Sequence, residues 1–249
     1  MKFLGIDLGW SSGASGLCCL EWHEHRLELL DLQRREEIAD ILKWVDAQFQ
    51  SGDAGVIAVD APTIITNPTG MRRCDRLTHQ YFGRYHAGCY PANLSRPFAN
   101  RTTHFGQALE ARGFGHQPEI APQQAGRYQI EVFPHPATIQ LFQLERILKY
   151  KKGRLADRQL ALTQLRDCIY QWLPQLEPSL SLEHSPVVIP SIPTTGKAFK
   201  AVEDQLDSLI CAYVGAHWWY WGQERNQILG DRQEGYIVVP SPTSTNNPD

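Results

Sequence analysis

The sequence has no apolar run near the roughly 20 residues that a membrane-spanning helix needs, which argues against a helical membrane protein. It has no CxxC pair. Its six cysteines, Cys18, Cys19, Cys74, Cys89, Cys168 and Cys211, are scattered, and several sit in apolar stretches. That pattern fits reduced, mostly buried thiols and the expectation of a cytoplasmic protein. Basic charge throughout the chain is also missing: at a net charge of −3, any contact with nucleic acid must come from a local patch. No internal repeat is visible. The opening residues Met1–Asp7 read as a short strand with an acid in it, not as a signal peptide.

What is present is an ordinary globular composition, 42% hydrophobic and 20% charged over 249 residues. The length suits one elaborated domain, residues 1–239, ahead of a polar tail at 240–249 that is expected to be disordered. Residues 2–8 read as a buried strand. Residues 16–22 and 26–32 read as a hairpin around the turn His23-Glu24-His25. Apolar Ile38, Ile41, Leu42, Val45 and Phe49 have helical spacing over 36–49, and the β-branched run 56–61 is a central strand cut off by Pro62.

From Thr63 to Arg127 no clear period survives, so this stretch is expected to be an irregular insertion. It holds eight arginines against only Asp75, Glu110 and Glu119, a local basic surplus inside an acidic chain. Residues 128–133 return to a strand stopped by Pro134 and Pro136. Helices are expected at 137–150 and 155–173, a surface loop at 185–196, a strong helix at 199–221 and a last strand at 235–239.

Acids fall at informative places. Asp7 lies inside an apolar strand, Asp60 closes another, and Glu131 sits within a third. Any one of them could be a turn-former or helix cap. Several together point to pairing, hydrogen bonding or metal binding, since a strand-embedded acid is otherwise costly. Asp204 and Asp207, three apart on a helix, share one face, whereas Glu203 reads as a complement to the helix dipole. Small residues at Ala212, Gly215 and Ala216 would let that helix lie close to a sheet, bringing its aspartates near Asp7 and Asp60.

Gly5-Ile6-Asp7-Leu8-Gly9, a fourth-strand acid and Asp204-Gln205-Leu206-Asp207 together resemble the ribonuclease H-like superfamily, with a helix pair spaced as in the Holliday-junction resolvases. More closely, the chain resembles domain-of-unknown-function family 429, described as predicted RNase H-like nucleases. The residues that carry this match are Gly5-Ile6-Asp7, Val59-Asp60-Ala61-Pro62, Arg72-Arg73-Cys74-Asp75-Arg76 and Glu131-Val132-Phe133-Pro134. Lys151-Lys152-Gly153-Arg154, Glu203-Asp204-Gln205-Leu206-Asp207 and Gly235-Tyr236-Ile237 complete it.

The resemblance implies an α/β fold, a ribonuclease H-like mixed sheet with an antiparallel hairpin plus parallel strands, flanked by helices. It implies a nuclease acting on DNA or RNA with two Mg²⁺ or Mn²⁺ ions. Asp7 would bridge the ions, Asp60 would bind one, and Asp204 or Asp207 the other, with Glu131 as an extra ligand or substrate contact. Arg72, Arg73 and Arg76, with Lys149, Lys151, Lys152 and Arg154, would contact phosphates. A Zn²⁺ knot of Cys74, His79, His86 and Cys89 has suitable residue types but an unusual spacing. Two rival readings remain. Gly5-Ile6-Asp7-Leu8-Gly9 also resembles the first phosphate loop of small actin-like kinases, although Asp60-Ala61-Pro62 lacks the glycines of their second loop. The other rival is a ribonuclease H-like domain that binds without catalysis.

Overall fold

A computed structural model describes residues 1–241 apart from Ser12, Ser51 and His184. Strands β1 (Lys2–Asp7), β2 (Ser15–His23) and β3 (Arg26–Arg35) form an antiparallel meander. The β2–β3 turn is tight because Glu24 and His25 both take positive φ, 47° and 67°, which suits the twist of paired strands. Helix α1 (Ile38–Gln48) then crosses over, and β4 (Gly55–Val59) runs parallel to β1. Helices α2 (Arg73–Phe82) and α3 (Ala99–Glu110) precede two further parallel strands, β5 (Gly115–His116) and β6 (Arg127–Glu131). Then come α4 (Pro134–Leu141), α5 (Leu155–Trp172), β7 (Leu180–Ser181), α6 (Gly196–Trp221), β8 (Asn226–Asp231) and β9 (Gly235–Pro240).

Seven strands make one mixed sheet in the order β5-β6-β4-β1-β2-β3-β7, with the expected antiparallel hairpin plus parallel strands, flanked by helices. The second sheet among the described residues is only the β8–β9 hairpin. Period-two alternation sorts β1 onto two cores. Leu4, Ile6 and Leu8 face Ile41, Trp44 and Val45 of α1 and Phe105 and Leu109 of α3. Phe3 faces the other side, with α6 and α5. Cys18 and Cys19 divide between the same two cores, as expected for neighbours on a strand. None of the six cysteines is disulfide-bonded, and no helix among the described residues is long and apolar enough to cross a membrane.

Helix α6 can lie this close to the sheet because of two glycines. A Cβ on Gly5 would overlap the carbonyl of Ser208, and one on Gly16 would overlap the carbonyl of Asp204. No other residue lets the helix backbone come so near. From the helix side, a Cβ on Gly215 would stand 3.3 Å from the Val56 and Ala58 side chains.

Four expectations need correction. The 63–127 stretch is not irregular, since it carries α2 and α3. The buried face of α2 is Cys74, Asp75, Thr78 and Phe82, and that of α3 is Ala99, Thr102, Phe105, Gly106 and Leu109. Their periods are helical but partly borne by polar and small residues, which hides them. Helix α4 begins at Pro134, because prolines fit a first helical turn whose N–H groups need no partner. It stops at Leu141, and Gln143 takes a φ of 52°, so the rest of the expected 137–150 helix is loop. Pro240 belongs to β9; from residue 242 onward the expected tail lies outside the described residues.

Candidate active site

The alternation that sends Ile6 to one core sends Asp7 to the α6 side. Asp7 pairs across the sheet with Gly16, and Gly16 with Arg34, so one row of the meander carries an acid, a gap and a base. The gap at Gly16 is where the Asp204 backbone fits. Asp60 follows β4, and its N–H donates to the Ile6 carbonyl at 2.9 Å, which sets it beside Asp7. Three chain segments thus bring four aspartates together. Asp204 is 2% exposed and Asp207 fully buried.

Buried carboxylates need partners. Arg34 Nε donates to Asp204 Oδ2 at 2.9 Å, and Lys200 Nζ lies 2.7 Å from Asp204 Oδ1. Tyr150 donates its hydroxyl to Asp207 Oδ1 at 2.7 Å, and the Lys151 ammonium is 2.9 Å from Asp207 Oδ2. Even so, four acids face three cations, and Lys200 is shared with Glu203 at 2.6 Å. Burial holds Asp7 well above the usual carboxylate range; Lys151 works against this, while Asp207, Asp60 and Asp204 reinforce it. Asp60, which shares a hydrogen bond with Asp7, is pushed up to about 7, first by burial, with Lys151 opposing. Burial alone would lower Lys151, but Asp207, Asp7 and Asp60 outweigh it and raise its pKa.

These residues fit a hard divalent cation in donor chemistry. Asp207 Oδ2 is buried, with the Lys151 ammonium 2.9 Å away. Among the described residues, however, no three His, Cys, Asp or Glu side chains are gathered as a ligand set. Ammonium and guanidinium groups stand on the oxygens that an ion would need.

Asp7, Asp60 and Asp204 line a cleft of about 1040 Å³, together with Arg34, Lys149, Lys151, Lys152 and Lys200. Of the expected phosphate contacts, Lys151 and Lys152 are therefore at the cleft, whereas Arg73, Arg76 and Arg154 are exposed outside its lining. Arg73 approaches Asp231 at 3.5 Å, and Arg76 donates to the Met71 carbonyl at 2.7 Å.

Arg72 is a correction. It is 4% exposed, and its guanidinium is taken up by Glu131 (2.6 and 2.8 Å), Asp75 (2.8 Å) and the Ile64 carbonyl (2.9 Å), leaving nothing for a phosphate. Glu131 is a correction for the same reason. It pairs with Val59, not Asp60, so it points to the sheet face away from α6, and both its oxygens bind Arg72. Glu203 is buried within the helix and bound by Arg158 (3.2 Å) and Lys200, not placed in a first turn. The Zn²⁺ knot is not assembled: Cys74 packs in a core with Leu229 and Ile237, and His79 bonds the Cys89 carbonyl at 2.8 Å.

Residues that the sequence reading missed include Arg34, Tyr150, Lys200, Trp10 and His135. Lys200 was discoverable, being four residues before Asp204 on a helix. Arg34 follows only from the β2–β3 register, and Tyr150 from no local signal. His135 lines the cleft, and burial, with Lys151 nearby, lowers its pKa to about 4.

No curated protein matches the chain. A solved structure of RuvC from Thermus thermophilus is similar at 12% identity, covering 87% of this chain and 98% of that one with a TM-score of 0.34. The model of the family described as Protein of unknown function (DUF429) matches residues 5–234. The chain belongs to that family.

Proposed function

We propose that this protein is a divalent-metal-dependent nuclease that hydrolyses phosphodiester bonds of nucleic acid. The observation that supports it most is the convergence of Asp7, Asp60, Asp204 and Asp207 from three chain segments beside a cleft lined with lysines. In this reading Asp7 and Asp60 would hold one Mg²⁺ or Mn²⁺ ion, and Asp7 with Asp204 or Asp207 a second. Bound ions would lower the pKa of a water and neutralise charge on the scissile phosphate and leaving oxygen. Lys151 offsets the charge of Asp207 in the metal-free protein. With an ion bound, it would be available to a backbone phosphate, alongside Lys149 and Lys152. His135 lies on the wall of the same cleft.

The test is to incubate purified protein with single- and double-stranded DNA and RNA in Mg²⁺ or Mn²⁺. Cleavage is expected, and it should vanish in Asp7→Asn and Asp207→Asn while strand binding persists. No cleavage of any of the four overturns the proposal. Strand binding without cleavage would leave a binding domain, and tight ATP binding with turnover would indicate a kinase.

A further inference from the structure

We propose that the cleft receives an unpaired strand, and that Tyr90 is the surface on which one of its bases stacks. The inference adds a substrate class to the nuclease reading and uses that reading to interpret the carboxylates. Its evidence is a run of aromatic rings that starts at the acids. Trp10 donates its indole N–H to the Asp60 carbonyl at 3.0 Å. Its ring lies 4.7 Å from that of Phe98, and Phe98 meets Tyr90 edge-on at 6.3 Å. Trp10 and Tyr90 line the same cleft as Asp7, and Tyr90 is 58% exposed.

Tyr90 is exposed but held. The Arg96 guanidinium lies 4.9 Å from its ring centre and donates to its hydroxyl at 3.3 Å. The chain on either side is anchored: His79 bonds the Cys89 carbonyl at 2.8 Å, and the Ala92 N–H donates to Asp75 Oδ2 at 3.0 Å. Asp75 is itself held by Arg72, which Glu131 holds in turn, so the buried ion network on the far face supports the segment that presents this ring. A large ring ordered in advance and left open to solvent is primed for a partner, because little freedom remains to be lost on contact.

The chemistry of that partner follows from the other side chains in the cleft. Lys149 and Lys152, both exposed at the cleft, offer phosphate contacts, and an aromatic ring offers a stacking face. Together they match a single strand, whose bases expose π-faces; in a duplex those faces are covered by neighbouring bases.

The experiment measures anisotropy of a labelled 12-nucleotide strand, its duplex and an abasic strand of equal length, with no added metal. The base-bearing strand should bind about tenfold more tightly than the abasic one, in line with one stacked base. Tyr90→Ala should remove that preference and leave abasic binding unchanged, while Tyr90→Phe should keep it. Equal affinity for base-bearing and abasic strands, a duplex bound as tightly as the single strand, or a preference surviving in Tyr90→Ala would each overturn the proposal. Cleavage is scored separately in Mn²⁺. Base-dependent binding with no cleavage would remove the nuclease reading and leave this one standing; cleavage with no base preference would do the reverse.

Discussion

Two buried ionic groups lie near the ends of the same parallel strands, and they are built on opposite plans. On the α6 side, Asp7, Asp60, Asp204 and Asp207 share Arg34, Lys151 and Lys200. On the other side, Arg72 is clasped by Glu131 and Asp75, and each Asp75 oxygen is engaged. The second group is closed and self-satisfied, as a structural ion network must be to repay its desolvation. The first opens on a cleft, and two of its three cations, Lys151 and Lys200, are part-exposed there. Burial and the neighbouring acids hold Asp7 and Asp60 above the usual carboxylate range, and a cation bound among them would favour their charged forms.

The contrast can be broken by mutation. Arg72→Met should leave Glu131 and Asp75 buried without a counter-charge and cost about 3–5 kcal/mol of stability; urea denaturation checks this, and a change below about 1 kcal/mol would show that the network is not closed. Asp7→Asn, by contrast, removes one of four crowded acids. Its stability should equal or exceed that of the parent, while Mn²⁺-dependent cleavage falls about 10³-fold, or ~4 kcal/mol in the barrier. A variant that loses stability and activity together would make Asp7 structural. Lys151→Met should have the smallest effect, about 1–2 kcal/mol without metal. Mn²⁺ should then raise its melting temperature more than it raises that of the parent, because no ammonium competes for Asp207. An equal shift in both proteins would mean that Lys151 never yields its place.

The open group was the more legible of the two in sequence. Asp7 announces itself as an acid in an apolar strand, and the i, i+3 spacing of Asp204 and Asp207 fixes their common face. What brings them together was harder to see, because Gly5 and Gly16 act through the atoms they lack. The closed group was misread. Glu131 resembles Asp60 as a strand-end acid, yet a one-residue difference in register turns it to the opposite face. Arg72 sits among exposed arginines, and only tertiary structure separates the buried one from Arg73 and Arg76. Strand β8 was missed because Asn226, Gly230 and Asp231 carry turn chemistry, and its pairing with β9 supplies what local preference does not.

The central claim is that the α6-side acids hold a divalent cation. Crystals soaked in Mn²⁺ and measured at the manganese absorption edge test it most directly. Anomalous density should appear among Asp7, Asp60, Asp204 and Asp207, with Lys151 withdrawn from Asp207. Saturating Mn²⁺ with no density there, and Lys151 still paired to Asp207, would contradict it.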